Sequence, residues 1–271
     1  MTPDTFVLAT DLDGTLLGGD AATRRRFYQW LAGLGERCIL IFVTGRALAD
    51  TLPLLDAAGG DEPLPPRPRW IISDIGTRIV DGDTLAPIAP LQDWVAAAWG
   101  DAGARVRALL ADEPAIAPQA VDAPYRVSYF FDPADFPRRI ADKIAAAGFD
   151  CLLSHEMYLD VLPRGVAKGP ALLRLLEYAG LAEHPVVVAG DTLNDLSLFQ
   201  TGLPGIAVGN AEDGLLDAIR HLPRVHLSAH PGVLGIHDGL RAHGLCDGVP
   251  WPDRDAEHAH LPLEHRHAAA S

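Results

Sequence analysis

The stretch ATDLDGTLL, residues 9–17, comes at the end of an apolar run that begins at Phe6. Asp11 and Asp13 stand two residues apart, so in an extended chain both side chains point to the same side. Two carboxylates at the end of a buried strand repel each other unless a cation lies beside them. The stretch therefore predicts a buried strand that ends in a site for a cationic group.

The composition is that of a globular chain with an acidic surface. Of the 271 residues, 48% are hydrophobic, which is enough for one or two packed domains. The formal net charge of -14 argues against nucleic acid or an anionic membrane surface as a partner. The three widely spaced cysteines indicate no disulfide framework, and neither a signal segment nor a membrane span is evident. We expect a cytoplasmic protein that is a monomer or a small homo-oligomer.

Short β-branched runs that end in polar residues occur in two parts of the chain. They are FVLATD (6–11), CILIFVTGR (38–46), WIISDIG (70–76), PVVVAGDTLND (185–195) and GIAVGNAED (205–213). Such runs, bounded by turn residues, are typical of strands buried on both faces of a parallel sheet. The pattern predicts a doubly wound α/β core formed by residues 1–81 and 163–245.

Residues 82–162 carry a different pattern. A helical segment at 91–111 precedes the alternating strand YRVSYFF (125–131), a helix at 136–147, and the strand-like runs FDCLLS (149–154) and MYLDVLP (157–163). We predict a small α+β cap with an antiparallel sheet. Residues 246–271, which have no apolar period, are predicted to form a flexible tail.

The polar clusters of the core all follow strands, and ligands in open α/β sheets bind at the carboxyl ends of strands. The clusters are Asp11 and Asp13; Thr44, Gly45 and Arg46; Ser73 and Asp74; and Asp191, Asn194 and Asp195. Clustered carboxylates favour a hard divalent cation, and Mg²⁺ binds through a few carboxylates, waters and a substrate phosphate. The sequence therefore predicts phosphoryl transfer with Mg²⁺ as the cofactor.

Four residues are the predicted catalytic groups. The Asp11 carboxylate can attack phosphorus to give an aspartyl-phosphate, which divides hydrolysis into two steps. Asp13 can protonate the leaving oxygen and later activate water. Thr44 can hydrogen-bond the phosphoryl group, and Lys168 in VAKGPAL (166–172) supplies positive charge to the phosphate and the nucleophile.

The motifs DLDGT (11–15), VTGR (43–46), AKGPAL (167–172) and GDTLND (190–195) stand in the order of the four signature motifs of the haloacid dehalogenase superfamily of phosphatases. The chain resembles that superfamily, its insert is similar to the type IIB cap, and residues up to about 245 resemble bacterial sucrose-phosphate phosphatases. The resemblance implies a metal site formed by Asp11, Asp13 through its carbonyl, Asp191 and Asp195. It also implies that Asn194 and Asp195 support Lys168.

The candidate substrate-binding residues surround this predicted centre. They are Gly45, Arg46, Arg78, His155, Tyr158, Asp160 and Asn194. Arg78 stands where the resembling family commonly has a glutamate near the sugar hydroxyls, so its presence puts the identity of the sugar in question. Strand alternation in MYLDVLP would also place Tyr158 and Asp160 on a solvated sheet face, and His155 also fits an exposed turn.

The prediction is a Mg²⁺-dependent phosphatase whose partner is a small sugar or glycoside phosphate. Sucrose 6-phosphate is one candidate, and glucosylglycerol, mannosylfructose, and glucosyl- or mannosylglycerate phosphates are others. A phosphomannomutase-like phosphotransferase is an alternative of another reaction class. A receiver-like signalling module also uses strand-end aspartates with Thr and Lys, but such modules are shorter and lack the 82–162 insert.

Overall fold

The computed structural model describes residues 5–56, 62–154, 157–246, 249 and 251. The strands are β1 Phe6–Thr10, β2 Cys38–Val43, β3 Trp70–Ser73, β4 Arg78–Asp81, β5 Ile116–Pro118, β6 Val127–Phe131, β7 Phe149–Ser154, β8 Tyr158–Pro163, β9 Val186–Gly190, β10 Gly205–Ala207 and β11 Val225–Leu227. The helices are α1 Ala21–Gly33, α2 Leu48–Thr51, α3 Ala89–Trp99, α4 Ala102–Leu110, α5 Arg139–Ala146, α6 Lys168–Tyr178, α7 Leu196–Phe199, α8 Asp213–Ile219 and α9 Gly232–Ala242.

Seven strands form the core sheet, in the order β11-β10-β9-β1-β2-β3-β4. Neighbouring strands pair in parallel, except that β4 pairs antiparallel with β3 at the edge. The central strand β1 is buried along its whole length, and Leu8 lies between Leu40 of β2 and Val187 of β9. The predicted parallel α/β core is confirmed, and the carboxyl ends of β1, β2 and β9 lie side by side.

Helices cover both faces of the core sheet. Helices α1 and α9 lie on one face, where Phe27 and Ile236 belong to the same apolar cluster as Leu8. Helix α6 lies on the other face, where Leu172 packs in a second cluster with Ala9. The consecutive residues Leu8 and Ala9 thus pack against the helices on opposite faces of the sheet, as expected for a strand buried on both faces.

A second, antiparallel sheet has the order β5-β6-β8-β7, and with its helices it forms the cap. Helices α4 and α5 pack on the cap sheet through Val106 and Ile140. The segment predicted as one helix at 91–111 forms two helices, because the chain turns at Gly100 with a φ of 58°, which glycine adopts without steric cost. The limits of the cap at 82 and 162 stay predictions.

The C-terminal segment adds an aromatic cluster to the face covered by α1 and α9. The Trp251 ring centroid lies 4.4 Å from that of His237 and 6.2 Å from that of Trp30. Cys246 and Val249 also pack against the core. Of the tail predicted at 246–271, residues 247, 248, 250 and 252–271 lie outside the described residues. None of the described helices is both long and apolar enough to cross a membrane.

The aromatic cluster predicts a pH dependence of stability. Burial lowers the pKa of His237 from 6.5 to about 4, so the folded protein keeps this ring neutral while the unfolded chain binds a proton below pH 6.5. Stability therefore falls as the pH drops from about 6.5 toward 4. We expect His237→Phe to lose less thermal stability than the parent between pH 7 and pH 5, measured by circular dichroism melting.

The matched control is His221→Phe, because His221 is an exposed histidine. It should keep the parent's loss of melting temperature across the same pH range. An equal loss in the parent and in His237→Phe would contradict the assignment.

Candidate active site

The centre of the site is Lys168, the first residue of α6. Its Nζ donates to Asp11 Oδ1 at 2.6 Å, to Asn194 Oδ1 at 2.7 Å and to Asp195 Oδ1 at 2.6 Å, and its side chain is fully buried. Burial lowers the pKa of Lys168, but the carboxylates of Asp11 and Asp195 outweigh it and raise the pKa above its ordinary value. Three predicted motifs therefore meet at a buried ammonium that stays charged.

Asp195 closes the turn that follows β9. Its Oδ2 accepts hydrogen bonds from the backbone N–H groups of Asp191 at 3.0 Å and Thr192 at 3.1 Å, while its Oδ1 accepts from Lys168. Both oxygens thus already have protein donors. This carboxylate fixes the position of Lys168 relative to the turn that carries Asp191.

Asp191 is held by donors from two other segments. Its Oδ1 accepts from the Thr15 hydroxyl at 2.8 Å, and its Oδ2 accepts from Asn210 Nδ2 at 3.1 Å. Burial raises the pKa of Asp191 to about 7, and the Asp195 charge adds to the shift. Gly14 has a φ of 75°, and a Cβ there would lie 2.0 Å from Asp191 Oδ2. The glycine of DLDGT therefore leaves the space that this carboxylate occupies.

Asn210 is a site residue that none of the sequence motifs predicts. Besides Asp191, its Nδ2 donates to the Gly14 carbonyl at 3.1 Å, and its Oδ1 accepts from the backbone N–H of Gly232 at 2.9 Å. One amide thus ties the first motif, the turn after β9 and the start of α9 together. The sequence feature that could have indicated Asn210 as a site residue is its position directly after the strand run GIAVG.

Asp13 and Arg46 form an ion pair at the mouth of the site. Arg46 Nε donates to Asp13 Oδ2 at 2.7 Å, and Arg46 Nη2 donates to Asp13 Oδ1. The Asp13 side chain is 54% exposed, so solvent screens the pair. Thr44 is buried behind it, and its hydroxyl oxygen accepts from the Arg46 backbone N–H at 3.1 Å. The pair holds the Asp13 carboxylate where a ligand enters.

The acidic residues fit a hard divalent cation. Asp11, Asp191 and Asp195 each offer one oxygen within 4.8 Å of the others. Burial raises the pKa of Asp11 against the opposing charge of Lys168, and Asp195 and Asp191 raise it further. A bound cation would relieve this repulsion, and carboxylate oxygens are the ligands that Mg²⁺ prefers.

A cavity of about 350 Å³ opens over these groups and has walls from both core and cap. Of the predicted residues it is lined by Asp11, Asp13, Gly45, Arg46, Asn194, Tyr158 and Asp160. Residues that were not predicted also line it, among them Asp50, Gln119 and Arg126. Thr44, Lys168, Asp191 and Asp195 are buried and do not belong to its lining.

The other candidate substrate-binding residues differ in where they lie relative to the cavity. Asp160 is 4% exposed and accepts from the Ser128 hydroxyl, so it does not stand on a solvated sheet face. Arg78 begins β4 opposite Ser73 and does not line the cavity, so its contact with a sugar stays a prediction. His155 lies outside the described residues.

Comparison with known proteins places this site in context. A family model described as sucrose-6F-phosphate phosphohydrolase matches residues 4–244. A glucosylglycerol-phosphate synthase from Pseudomonas anguilliseptica is 43% identical over 233 residues, which are 85% of this chain and 30% of that protein. A mannosylfructose-phosphate phosphatase from Agrobacterium fabrum is 30% identical over 250 residues, which are 88% of this chain and 97% of that protein. The chain thus spans about a third of the first relative and nearly all of the second.

Two solved structures share the fold. The sucrose-phosphatase from Synechocystis sp. in complex with sucrose and phosphate has a TM-score of 0.77 at 22% identity, covering 89% of this chain and 98% of that chain. A subclass IIB sugar phosphatase of the haloacid dehalogenase superfamily has a TM-score of 0.61 at 15% identity, covering 89% of this chain and 100% of that chain. The likeness extends over both the core and the cap.

The contacts of Asn210 predict that it supports a metal site. Asn210→Ala removes a donor from Asp191 Oδ2, so that carboxylate loses part of its fixed orientation. Loss of a group that orients a metal ligand typically weakens metal binding by about 10- to 100-fold. We expect the midpoint of a Mg²⁺ titration, monitored through the thermal unfolding temperature, to move to a metal concentration that is higher by that factor.

The matched control is Gln92→Ala. The Gln92 amide also bridges backbone groups, those of Ile79 and Thr77, but it contacts no carboxylate of the site. It should change stability without shifting the Mg²⁺ titration midpoint. Equal midpoints for Asn210→Ala and the parent would refute the role of Asn210.

Proposed function

Because the chain belongs to the sucrose-6F-phosphate phosphohydrolase family, we propose that it is a sugar phosphatase of the haloacid dehalogenase superfamily, which hydrolyses a small glycoside phosphate with Mg²⁺ through an aspartyl-phosphate. One observation carries the mechanism. Lys168 Nζ binds Asp11 Oδ1 at 2.6 Å, next to a second strand-end acid, Asp191, within the same cluster. The arrangement supports a nucleophilic carboxylate whose charge is balanced from two sides.

In the first step, Asp11 acts as the nucleophile. Lys168 holds one oxygen of Asp11, and the other attacks phosphorus, forming an oxygen–phosphorus bond while the bond to the glycoside oxygen breaks. Asp13 donates its proton to the leaving oxygen. Asp13 lines the cavity from the same strand end as Asp11, which suits an acid that must reach the leaving group.

In the second step, Asp13 acts as a base. It takes a proton from water as the water oxygen attacks phosphorus, and the bond between phosphorus and Asp11 breaks to release phosphate. We propose that Thr44 hydrogen-bonds the phosphoryl oxygens in both steps and that the charge of Lys168 stabilises them from behind Asp11. We propose that Asp11, the Asp13 carbonyl and Asp191 hold Mg²⁺, with Asp195 orienting Lys168. The bound metal supplies the positive charge that allows a phosphate to approach these acids.

We propose glucosylglycerol phosphate as the first candidate substrate. The relative whose name specifies this compound is 43% identical to the chain, against 30% for the mannosylfructose-phosphate phosphatase. The cavity of about 350 Å³ is also near the lower end of the usual range for ligand pockets, which favours a small glycoside. Sucrose 6-phosphate is the second candidate, supported by the family model.

A phosphate-release assay tests this proposal. The panel contains glucosylglycerol phosphate, sucrose 6-phosphate and mannosylfructose phosphate, each with Mg²⁺ and with excess chelator. We expect release from at least one glycoside phosphate, fastest from glucosylglycerol phosphate, and loss of release with chelator. No release from any member would refute the proposed substrate class. Isomerised sugar phosphate without release would indicate a mutase, and a stable phosphorylated protein would indicate a receiver-like module.

The proposed nucleophile predicts the outcome of one substitution. Asp11→Asn replaces the attacking carboxylate with an amide, so kcat should fall by more than about 10⁴-fold while the circular dichroism spectrum is retained. The matched control is Asp217→Asn, because Asp217 is an exposed acid on α8 outside the cavity. It should keep kcat within about twofold, as expected for a neutral surface change. Substantial turnover by Asp11→Asn would exclude it as the nucleophile.

A further inference from the structure

A buried arginine of the cap lies between an acid of the cap and an acid of the core. Arg126 directly precedes β6, and its Nη1 is 3.1 Å from Oδ1 of Asp160 on β8. Its Nη2 is 3.6 Å from Oδ1 of Asp74, the residue that follows β3 in the core. The three side chains are 8%, 6% and 4% exposed, so this ion pair between the cap and the core is almost completely removed from water.

Asp74 belongs to the turn 74–76, which contacts the loop 44–46 that carries Thr44, a proposed phosphate ligand. Its backbone N–H donates to the Arg46 carbonyl at 2.8 Å, and the Ile75 N–H donates to the Thr44 carbonyl at 3.1 Å. Asp74 and Ile75 have φ values of 53° and 59°, a left-handed conformation that such residues seldom adopt. Backbone in this conformation persists only where its surroundings hold it.

The same turn contacts the start of α6. Gly76 has a φ of 97°, and a Cβ there would lie 2.4 Å from the carbonyl carbon of Ala167, the residue before Lys168. The turn 74–76 is therefore in contact with Thr44 and Arg46 on one side and with the residue that precedes Lys168 on the other. A change in the position of Asp74 would therefore move both Thr44 and Lys168, the two groups proposed to act on the phosphate.

Electrostatics make this contact depend on Arg126. Asp74 Oδ2 accepts from the Ser73 hydroxyl at 3.2 Å, whereas Oδ1 is buried and has no hydrogen-bond donor among the described residues. Burial raises the pKa of Asp74 and of Asp160, and the Arg126 charge is the largest influence that opposes both shifts. Smaller opposing contributions come from Ser73, the Leu48 backbone N–H and Arg78 at Asp74, and from Ser128 at Asp160. Without Arg126, closing the cap would bury two acids with no guanidinium between them, which is strongly unfavourable.

We propose that Arg126 is a positioning residue that couples the seating of the cap to the geometry of the phosphate-binding groups. With the cap in place, Arg126 fixes Asp74, and the turn 74–76 fixes the 44–46 loop and the start of α6. This role rests on the proposed function, since the groups it positions are those assigned to phosphate. It follows that Arg126 matters most for substrates large enough to hold the cap against the core.

Hydrogen–deuterium exchange of the full chain tests the coupling without any substrate. In Arg126→Gln, we expect the amides of Asp74 and Ile75 to exchange at least tenfold faster than in the parent, while Leu8 in the central strand keeps its rate. The matched control is Arg139→Gln, because Arg139 pairs with Glu113 entirely inside the cap. It should leave Asp74 and Ile75 unchanged. Unchanged exchange at these amides in Arg126→Gln overturns the proposal.

Kinetics provide a second, independent readout. The kcat/KM for the best glycoside phosphate is divided by that for p-nitrophenyl phosphate, a small ester with no sugar to strengthen the cap contact already present in the free protein, so its own loss should be smaller. Truncating one partner of a buried charge pair typically costs about 30-fold or more, so this ratio should fall by about that factor in Arg126→Gln. Arg126→Lys, which keeps the charge, should restore part of it. An equal loss for both substrates indicates a merely structural role and overturns the proposal.

Asp74→Asn and the double variant, which combines it with Arg126→Gln, complete a double-mutant cycle. If Arg126 acts through Asp74, the double variant should lose no more of the ratio than the worse single variant, whereas additive losses overturn the coupling. Should the parent hydrolyse no glycoside phosphate, the proposed function fails. The exchange rates of Asp74 and Ile75 then still test whether Arg126 fixes the turn 74–76.

Discussion

The active site depends on the buried ammonium of Lys168. A helix N-terminus carries partial positive charge, so a lysine as the first residue of α6 is electrostatically unfavourable there by itself. The carboxylates of Asp11 and Asp195 offset that cost, and they come from segments 157 and 27 residues away. Because a buried ammonium requires both partners, the fold must keep the ends of β1 and β9 and the start of α6 together.

The sequence allowed the core of this arrangement to be predicted because parallel strands share one edge. Asp11, Thr44 and Asp191 each follow a continuous apolar run, and runs of that kind build a sheet whose carboxyl ends meet. The α/β core with a cap and the family were confirmed. The roles assigned to the individual site residues rest on geometry and stay proposals.

Other parts of the site could not be predicted, because they depend on which segments become neighbours. Asn210 reaches Asp191 only because β10 pairs with β9, and Arg126 reaches Asp160 only because β6 pairs with β8. Neither pairing has a local sequence signal. The break at Gly100 did have one, since glycine often ends a helix, yet the helical pattern on both sides outweighed it.

The charges around the cavity bear on the proposed substrate. Asp11, Asp13, Asp191 and Asp195 face two cations, Lys168 and Arg46, so a divalent cation would bring the catalytic end near neutrality. A dianionic phosphate could then enter a protein whose net charge of -14 otherwise repels it. Where the cap meets the core, Asp74 and Asp160 share a single Arg126, and of these three residues Asp160 and Arg126 line the cavity while Asp74 does not. A ligand in the cavity therefore meets the buried ion pair of Asp160 and Arg126, and the Asp160 oxygens can accept hydrogen bonds from hydroxyl groups.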